Sequence, residues 1–226
     1  MNFAKADRRR LLSVGGLAAG VIGLASAARA RPPQPSQPGR GWRAASEASD
    51  GWLDNPGTRH RVVFDTTTFQ AAAKGVRFAS NFYAANQSGY GLKPEELAVL
   101  LILRAEATPL GFASRVWQEH GEQFAKLMDL PPDAAKNATK GNPLLSAAGP
   151  NEASLAGLQH NGARFAVCGM ATHGIASLLA KSAGTDAAAV EADLKANMIP
   201  GALIVPAGIV AVNRAQEHGY ALSYVS

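Results

Sequence analysis

The run of residues 96–104 restricts the possible folds of this chain more than any other stretch. Seven apolar residues follow one another there, between Glu96 and Arg104. A strand with one face in water alternates apolar and polar residues, whereas a strand covered on both faces is apolar almost without interruption. The run therefore predicts a central strand of a parallel sheet.

Strand-like and helix-like patterns alternate along the chain after residue 59. The predicted strands cover residues 61–65, 96–104, 163–168, 202–206 and 220–225. Apolar residues spaced three and four apart, or an amphipathic pattern, predict helices at 69–85, 112–128, 170–181, 186–197 and 209–218. The first helix is expected to end before Gly89. Strands that alternate with helices of this length indicate right-handed crossovers, and so an α/β domain over residues 60–226 with a mostly parallel sheet of about five strands.

Residues 129–160 form the longest predicted connection. They are rich in Pro, Gly, Asn and Ser, and a short helix is expected at 154–160. Connections of this length in compact domains are often lids or binding loops.

The net charge of +5 is concentrated at the start of the chain. Residues 1–30 hold five of the 22 basic residues and one of the 17 acidic ones, and from Val62 onward the net charge is −1. A nucleic-acid-binding domain needs basic residues on its folded part. We therefore expect no nucleic-acid partner.

Residues 1–30 have the three parts of a bacterial signal peptide: arginines at 8–10, a weakly apolar stretch at 11–28, and a small-residue box at 28–30. Paired arginines before two leucines, followed by a Gly/Ala-rich stretch, resemble a twin-arginine signal. This resemblance implies export to the periplasm by the twin-arginine translocase and cleavage after Ala30. A cut after the box at 25–27, or retention of the stretch as a membrane anchor, remains an alternative.

Residues 31–59 are predicted to be a linker. Four prolines and no aliphatic side chain lie between Arg31 and Gly41, a composition typical of an extended, solvated segment. Trp42 and Trp52 follow in a polar context. They either pack on the domain or on a neighbouring subunit, or they belong to a flexible leader.

Cys168 is the only cysteine, and it is predicted to lie where the third strand ends and a helix begins. Ligands of α/β sheets bind beyond the carboxyl ends of the strands, and a helix N-terminus favours an anion. A thiol at this position is expected to ionise more readily and to be nucleophilic. The alternative is a buried, structural cysteine. An intrachain disulfide is excluded.

Three stretches resemble the DsrE/DsrF-like (YchN-like) family: residues 60–65, residues 167–175 around the cysteine, and residues 199–220. The last contains a strand, a Pro-Ala-Gly turn and a helix ending in Gln-x-x-Gly-Tyr. The resemblance covers most of the chain after residue 59, and residues 129–160 match poorly. It implies a three-layer sandwich that forms trimers or hexamers. In sulfur-relay members a cysteine after the third strand carries a persulfide and passes the sulfur to a partner thiol. Only Cys168 matches that residue.

Four further residues are candidate ligand contacts at the same edge of the sheet. Gly169 and Gly208 follow predicted strands three and four, Glu106 follows strand two, and His173 lies in the helix after Cys168. His173 either approaches the thiol or points away from it.

Metal binding is the competing chemistry, because Cys168 with two of His120, His160 and His173 would be a suitable Zn or Cu ligand set. No pair has a recognised metal-motif spacing, so no metal is predicted. The sequence has no P-loop, no GxGxxG and no serine nucleophile elbow, and we expect no cofactor.

These observations lead to one main hypothesis, an exported, homo-oligomeric DsrE-like protein whose Cys168 accepts, holds or transfers sulfur. Its partners would be a donor or acceptor protein or a small sulfur species. The alternative is a non-catalytic periplasmic protein that binds a small ligand or metal, or serves in assembly, with a structural Cys168.

Overall fold

The structure, a computed structural model, describes residues 43–146 and 153–226. The predicted signal peptide and residues 31–42 of the predicted Pro-rich linker, Trp42 included, lie outside the described residues. A compact unit spans Ala44–Ser226, and every element named below belongs to it.

Five parallel strands form one sheet. They are β1 (His60–Thr66), β2 (Leu97–Leu103), β3 (Arg164–Cys168), β4 (Ala202–Val205) and β5 (Ala221–Val225). Their order across the sheet is β4-β3-β2-β1-β5, and every neighbouring pair is parallel. β2 lies at the centre, and all seven of its residues are buried. The predicted parallel sheet and its central strand are confirmed.

Helices cover both faces of the sheet. They are α1 (Phe69–Tyr90), α2 (Ser114–Leu127), α3 (Pro132–Asn137), α4 (Leu155–His160), α5 (Gly169–Ala183), α6 (Ala187–Ala196) and α7 (Gly208–Glu217). The chain moves from β1 to β4 in one direction and then returns past β1 to form β5. Because crossovers are right-handed, α7 lies on the face opposite α1, α2 and α5. The predicted three-layer arrangement is confirmed. Among the described residues, no helix has the length and apolarity needed to cross a bilayer.

Alternate residues of β1, β2, β3 and β4 enter two separate cores. Phe64 and Leu101 pack with α1, α2 and α5 in the larger core. Val63 and Leu100 pack with α7 in the smaller one. We refer to the two sides of the sheet as the α1 face and the α7 face.

A 3₁₀ helix, Ala48–Leu53, completes the cover of the α7 face. Leu53 is fully buried and Trp52 packs partly against the same core. Arg164 donates a hydrogen bond to the carbonyl of Trp52, and Arg214 forms an ion pair with Asp50. Of the alternatives for Trp52, packing on the domain is the one observed, so residues 44–59 belong to the compact unit.

The predicted end of the first helix was wrong. α1 continues through Gly89 to Tyr90 and ends at Gly91, whose φ of 67° is left-handed. The N–H of Gly91 bonds to the carbonyls of Asn86 and Gln87, as at many helix ends. Gly89 is tolerated because it lies in the last, exposed turn.

Part of the long connection at 129–160 forms short helices and packs on the domain. α3 and α4 lie in it, and α4 coincides with the predicted short helix, whereas α3 was not predicted. The Asn142 amide donates hydrogen bonds of 2.8 Å to the carbonyls of Leu110 and Phe112, and Ala138 is fully buried. Residues 130–145 therefore pack on the larger core, while 147–152 lie outside the described residues.

Candidate functional site

The carboxyl ends of β3 and β4 form a topological switch point of the sheet, which we call the crevice. The two strands are neighbours, but β3 leads into α5 on the α1 face and β4 leads into α7 on the other face. In open parallel sheets, ligands bind where adjacent connections diverge in this way. Cys168 is the last residue of β3 and pairs with Val205 of β4. The predicted placement of Cys168 between a strand and a helix is confirmed.

The thiol of Cys168 caps the N-terminus of α5. Its Sγ accepts a hydrogen bond of 3.4 Å from the N–H of Ala171, and Thr172 Oγ1 donates a bond of 2.9 Å to the Cys168 carbonyl. Cys168 is 8% exposed. The sulfur therefore lies at a helix N-terminus, the end of a helix at which backbone N–H groups and the helix dipole attract anions.

Arg104 lies beside Cys168 at the same edge. β2 and β3 pair through Leu103 and Val167, so Arg104 and Cys168 are the next residues along the two strands. Leu103 and Val167 belong to the larger core. Because successive side chains point to opposite faces, Arg104 and Cys168 both project towards the α7 face.

A buried carboxylate holds the Arg104 side chain. Asp65 of β1, 3% exposed, accepts from Arg104 Nε at 2.7 Å on one oxygen and from Nη2 at 2.9 Å on the other. Such bidentate pairs are strong and directional. The hydrogen bond to Asp65 raises the pKa of Arg104, against the opposing effect of partial burial. The guanidinium is therefore positive throughout the physiological pH range.

Sequence reasoning missed Asp65 and Arg104 as candidate site residues. Each is a charged residue at the carboxyl end of a predicted buried strand, the edge at which ligands of parallel sheets bind. That signal was present in the sequence, but the pairing of the two residues depends on β1 and β2 being neighbours in register.

The two predicted glycine contacts both lie at the crevice. A Cβ at Gly169 would come within 2.8 Å of the Val205 carbonyl oxygen, so α5 begins against the end of β4. A Cβ at Gly208 would meet the Arg104 side chain. Both positions need glycine for close approach of the backbone.

His173 is directed towards α6. Its Nδ1 lies 2.7 Å from Glu191 Oε2, and Lys195 Nζ lies 2.5 Å from the other oxygen of Glu191. Hydrogen bonds from Lys195, and then from His173, lower the pKa of Glu191. His173 thus joins an exposed charge network that borders a groove of about 400 Å³ beside β4. Cys168 is not among the residues that line this groove.

The remaining predicted contacts are dispersed. Glu106 is exposed and forms no hydrogen bond or ion pair with any residue that the structure describes. His160 lines a groove with Leu97 and Arg164 at the amino ends of the strands, the opposite edge from Cys168. His120 lies 3.7 Å from Glu119. Within residues 43–146 and 153–226, no group of three or more His, Cys, Asp or Glu side chains could hold a metal ion.

No protein-family model matches this chain, and no curated protein sequence matches it. Among solved structures, it is similar to a protein of unknown function from Methanobacterium thermoautotrophicum, with 13% sequence identity and a TM-score of 0.37 over 73% of this chain and 98% of that one.

Proposed function

We propose that this chain is an exported member of the DsrE/DsrF-like family whose Cys168 accepts, holds and transfers sulfur as a persulfide. One observation carries the proposal. The only sulfhydryl group lies at the carboxyl edge of a parallel sheet, hydrogen-bonded to a helix N-terminus and beside an arginine. A helix N-terminus and a guanidinium are both groups that bind anions.

The transfer step needs no external oxidant or reductant. The Cys168 thiolate attacks the terminal sulfur of a donor persulfide, R–S–SH. A new S–S bond forms on Cys168 while the donor's S–S bond breaks, and the donor leaves as the thiolate R–S⁻. An acceptor thiolate then attacks the terminal sulfur on Cys168 in the same way and regenerates the Cys168 thiolate. The donor and acceptor are partner proteins or small sulfur species.

Homo-oligomerisation into trimers or hexamers belongs to the same proposal. Large apolar side chains near the crevice are exposed, among them Met170 at 73%, Ile209 at 59% and Val210 at 47%. β4, the edge strand next to Cys168, is only partly buried. Exposed apolar side chains beside an open strand edge are features of interaction surfaces.

Export to the periplasm through the twin-arginine translocase is supported by the arginine, apolar and small-residue segments of residues 1–30. With such a signal, the protein resembles export substrates that fold in the cytoplasm before they cross the membrane. The route would therefore allow Cys168 to be loaded, or the oligomer to assemble, before export.

A second function is favoured by the burial of the cysteine. Cys168 is 8% exposed and its sulfur serves as the cap of α5. These features equally suit a structural cysteine in a non-catalytic periplasmic protein that binds a small ligand or metal, or that acts in assembly.

Alkylation of the folded protein followed by intact mass measurement distinguishes the two functions. Since the chain has one cysteine, each mass change reports on Cys168 alone. For a sulfur carrier, we expect rapid labelling at neutral pH and, after incubation with polysulfide, a gain of the mass of one sulfur atom that dithiothreitol reverses. Cys168→Ser is the control and should gain nothing. A thiol that labels only after denaturation would refute the sulfur-carrier function.

A further inference from the structure

Arg104 has hydrogen-bonding capacity that the fold does not use. Asp65 occupies the edge of the guanidinium formed by Nε and Nη2. In the part of the chain that the structure describes, no acceptor is hydrogen-bonded to Nη1. A guanidinium has five N–H donors in a fixed plane, so two donors of Nη1 are left for another anion.

The strand order places that capacity on the side of Cys168. By covalent geometry, Nη1 lies on the side of the guanidinium away from the Nε–Nη2 edge. Asp65 belongs to β1, and Cys168 belongs to β3 on the other side of β2. The N-terminus of α7 lies next to the same guanidinium, because Gly208 packs against the Arg104 side chain.

Few other charged groups interact with the Arg104 guanidinium. Besides Asp65, the titratable group of β5 that interacts with Arg104 is Tyr224. His173, on α5, is bonded instead to Glu191. Among the described residues of the sheet and of α5, Arg104 is therefore the positively charged side chain that lies beside the Cys168 sulfur.

We propose that Arg104, oriented by Asp65, recognises the negative charge of the sulfur donor, so that Cys168 reacts with anionic donors in preference to neutral ones. The donor class is then persulfides R–S–SH whose R group carries a negative charge, and polysulfide anions. This inference rests on the proposed function, which identifies sulfur as the transferred atom. It adds that the site selects donors by their negative charge. In the transfer step, Arg104 binds the anion while the sulfur–sulfur exchange takes place at Cys168.

Two alkylating reagents that differ in charge test the inference on the full chain. Iodoacetate is an anion and iodoacetamide is neutral, and both form the same S–CH₂ bond with loss of iodide. The ratio of their rates cancels differences in thiolate fraction and in general access. We expect Arg104→Met to lower the iodoacetate-to-iodoacetamide ratio roughly fivefold, and Arg104→Lys to keep most of it. Arg115→Met is the matched control and should leave the ratio unchanged, because Arg115 forms a similar ion pair on α2 with Asp193 of α6.

The unaltered protein gives a second measurement should Arg104→Met fail to fold. Salt screens the attraction of an exposed anion, so the iodoacetate rate should fall with added NaCl while the iodoacetamide rate stays constant. An equal ratio in the unaltered protein and Arg104→Met, no salt effect on iodoacetate, or no labelling of the native protein by either reagent would each overturn the inference. The mass gain from polysulfide is read separately. Its absence, with the ratio lowered by Arg104→Met, would refute sulfur carriage and leave anion recognition by Arg104 standing.

Discussion

Gly208 lies so close to Arg104 that a Cβ added at Gly208 would come within 2.6 Å of Arg104 Cβ and 2.9 Å of its Cδ. The first turn of α7 therefore rests on the inner part of the Arg104 side chain, which cannot swing away as a flexible tip would. We expect Gly208→Ala to lower the free energy of unfolding by about 1–3 kcal/mol, as overpacking does in other proteins. Urea denaturation followed by circular dichroism measures the change.

Gly174→Ala is the control for this substitution. Gly174 lies inside α5, and nothing stands within 4 Å of its added Cβ. Alanine is a better helix former than glycine, so this variant should be more stable by roughly 0.5–1 kcal/mol. A Gly208→Ala protein as stable as the unaltered one would contradict the close packing of α7 on Arg104.

The ion pair between Asp65 and Arg104 should contribute to stability as well as to the site. The Asp65 side chain is 5% exposed and that of Arg104 24%, so removing the carboxylate charge leaves a largely buried guanidinium without its counterion. We expect Asp65→Asn to lower the free energy of unfolding by about 2–3 kcal/mol, somewhat less than for a fully buried pair.

Asp193→Asn is the comparison for Asp65→Asn. Asp193 also binds an arginine through both oxygens, at 2.6 and 2.5 Å from Arg115 Nη2, but both side chains are exposed. Exposed pairs contribute little, and urea denaturation should detect almost no change. Equal losses in the two variants would show that burial does not set the strength of the Asp65 pair.

The sheet was predictable because burial of a strand on both faces leaves a direct mark in the sequence. The apolar run of β2 and the spacing of apolar residues in α1 identified a parallel α/β domain. The end of α1 was not predictable, since Gly89 and Gly91 are both suitable end signals. Only the left-handed φ of Gly91 distinguishes them.

The site was only partly predictable for a related reason. Cys168 could be located because it is the only cysteine and follows a strand pattern. The bond between Asp65 and Arg104 joins residues 39 positions apart, and it depends on the order of the strands, which local patterns do not contain. The packing of Leu53 also depends on that order, because the return of the chain to β5 leaves α7 as the one α-helix that the described residues place on this face.

The segment before β1 should be required for the stability of the domain. Leu53 is fully buried in the core of the α7 face, and we expect Leu53→Ala to lower the free energy of unfolding by about 2–4 kcal/mol. A chain that begins at His60 should be less stable than one that begins at Ala44. Ser49→Ala is the control, because Ser49 lies exposed in the same 3₁₀ helix, and its effect should stay within about 0.5 kcal/mol. Equal stability of the two shortened chains would contradict the packing of this segment.

Tyr83 has a buried hydroxyl group for which no hydrogen-bond partner exists among the described residues. An unpaired buried hydroxyl is unfavourable, so Tyr83→Phe should keep or raise stability, by up to about 1 kcal/mol. Burial, and to a smaller extent the neighbouring Tyr220, raises the pKa of Tyr83 above its ordinary value. The folded state therefore retains a proton that the unfolded chain loses above about pH 10, and the free energy of unfolding should fall as the pH rises beyond that point.

Urea denaturation at pH 8 and at about pH 10.5 tests this link between Tyr83 and alkaline stability. We expect Tyr83→Phe to remove part of the fall between the two pH values. Some fall should remain, because burial also raises the pKa of Tyr220. Tyr90→Phe is the control, since Tyr90 is 74% exposed, and it should show the same fall as the unaltered protein. A Tyr83→Phe variant that loses more than about 1 kcal/mol at pH 8 would mean that the hydroxyl has a stabilising partner.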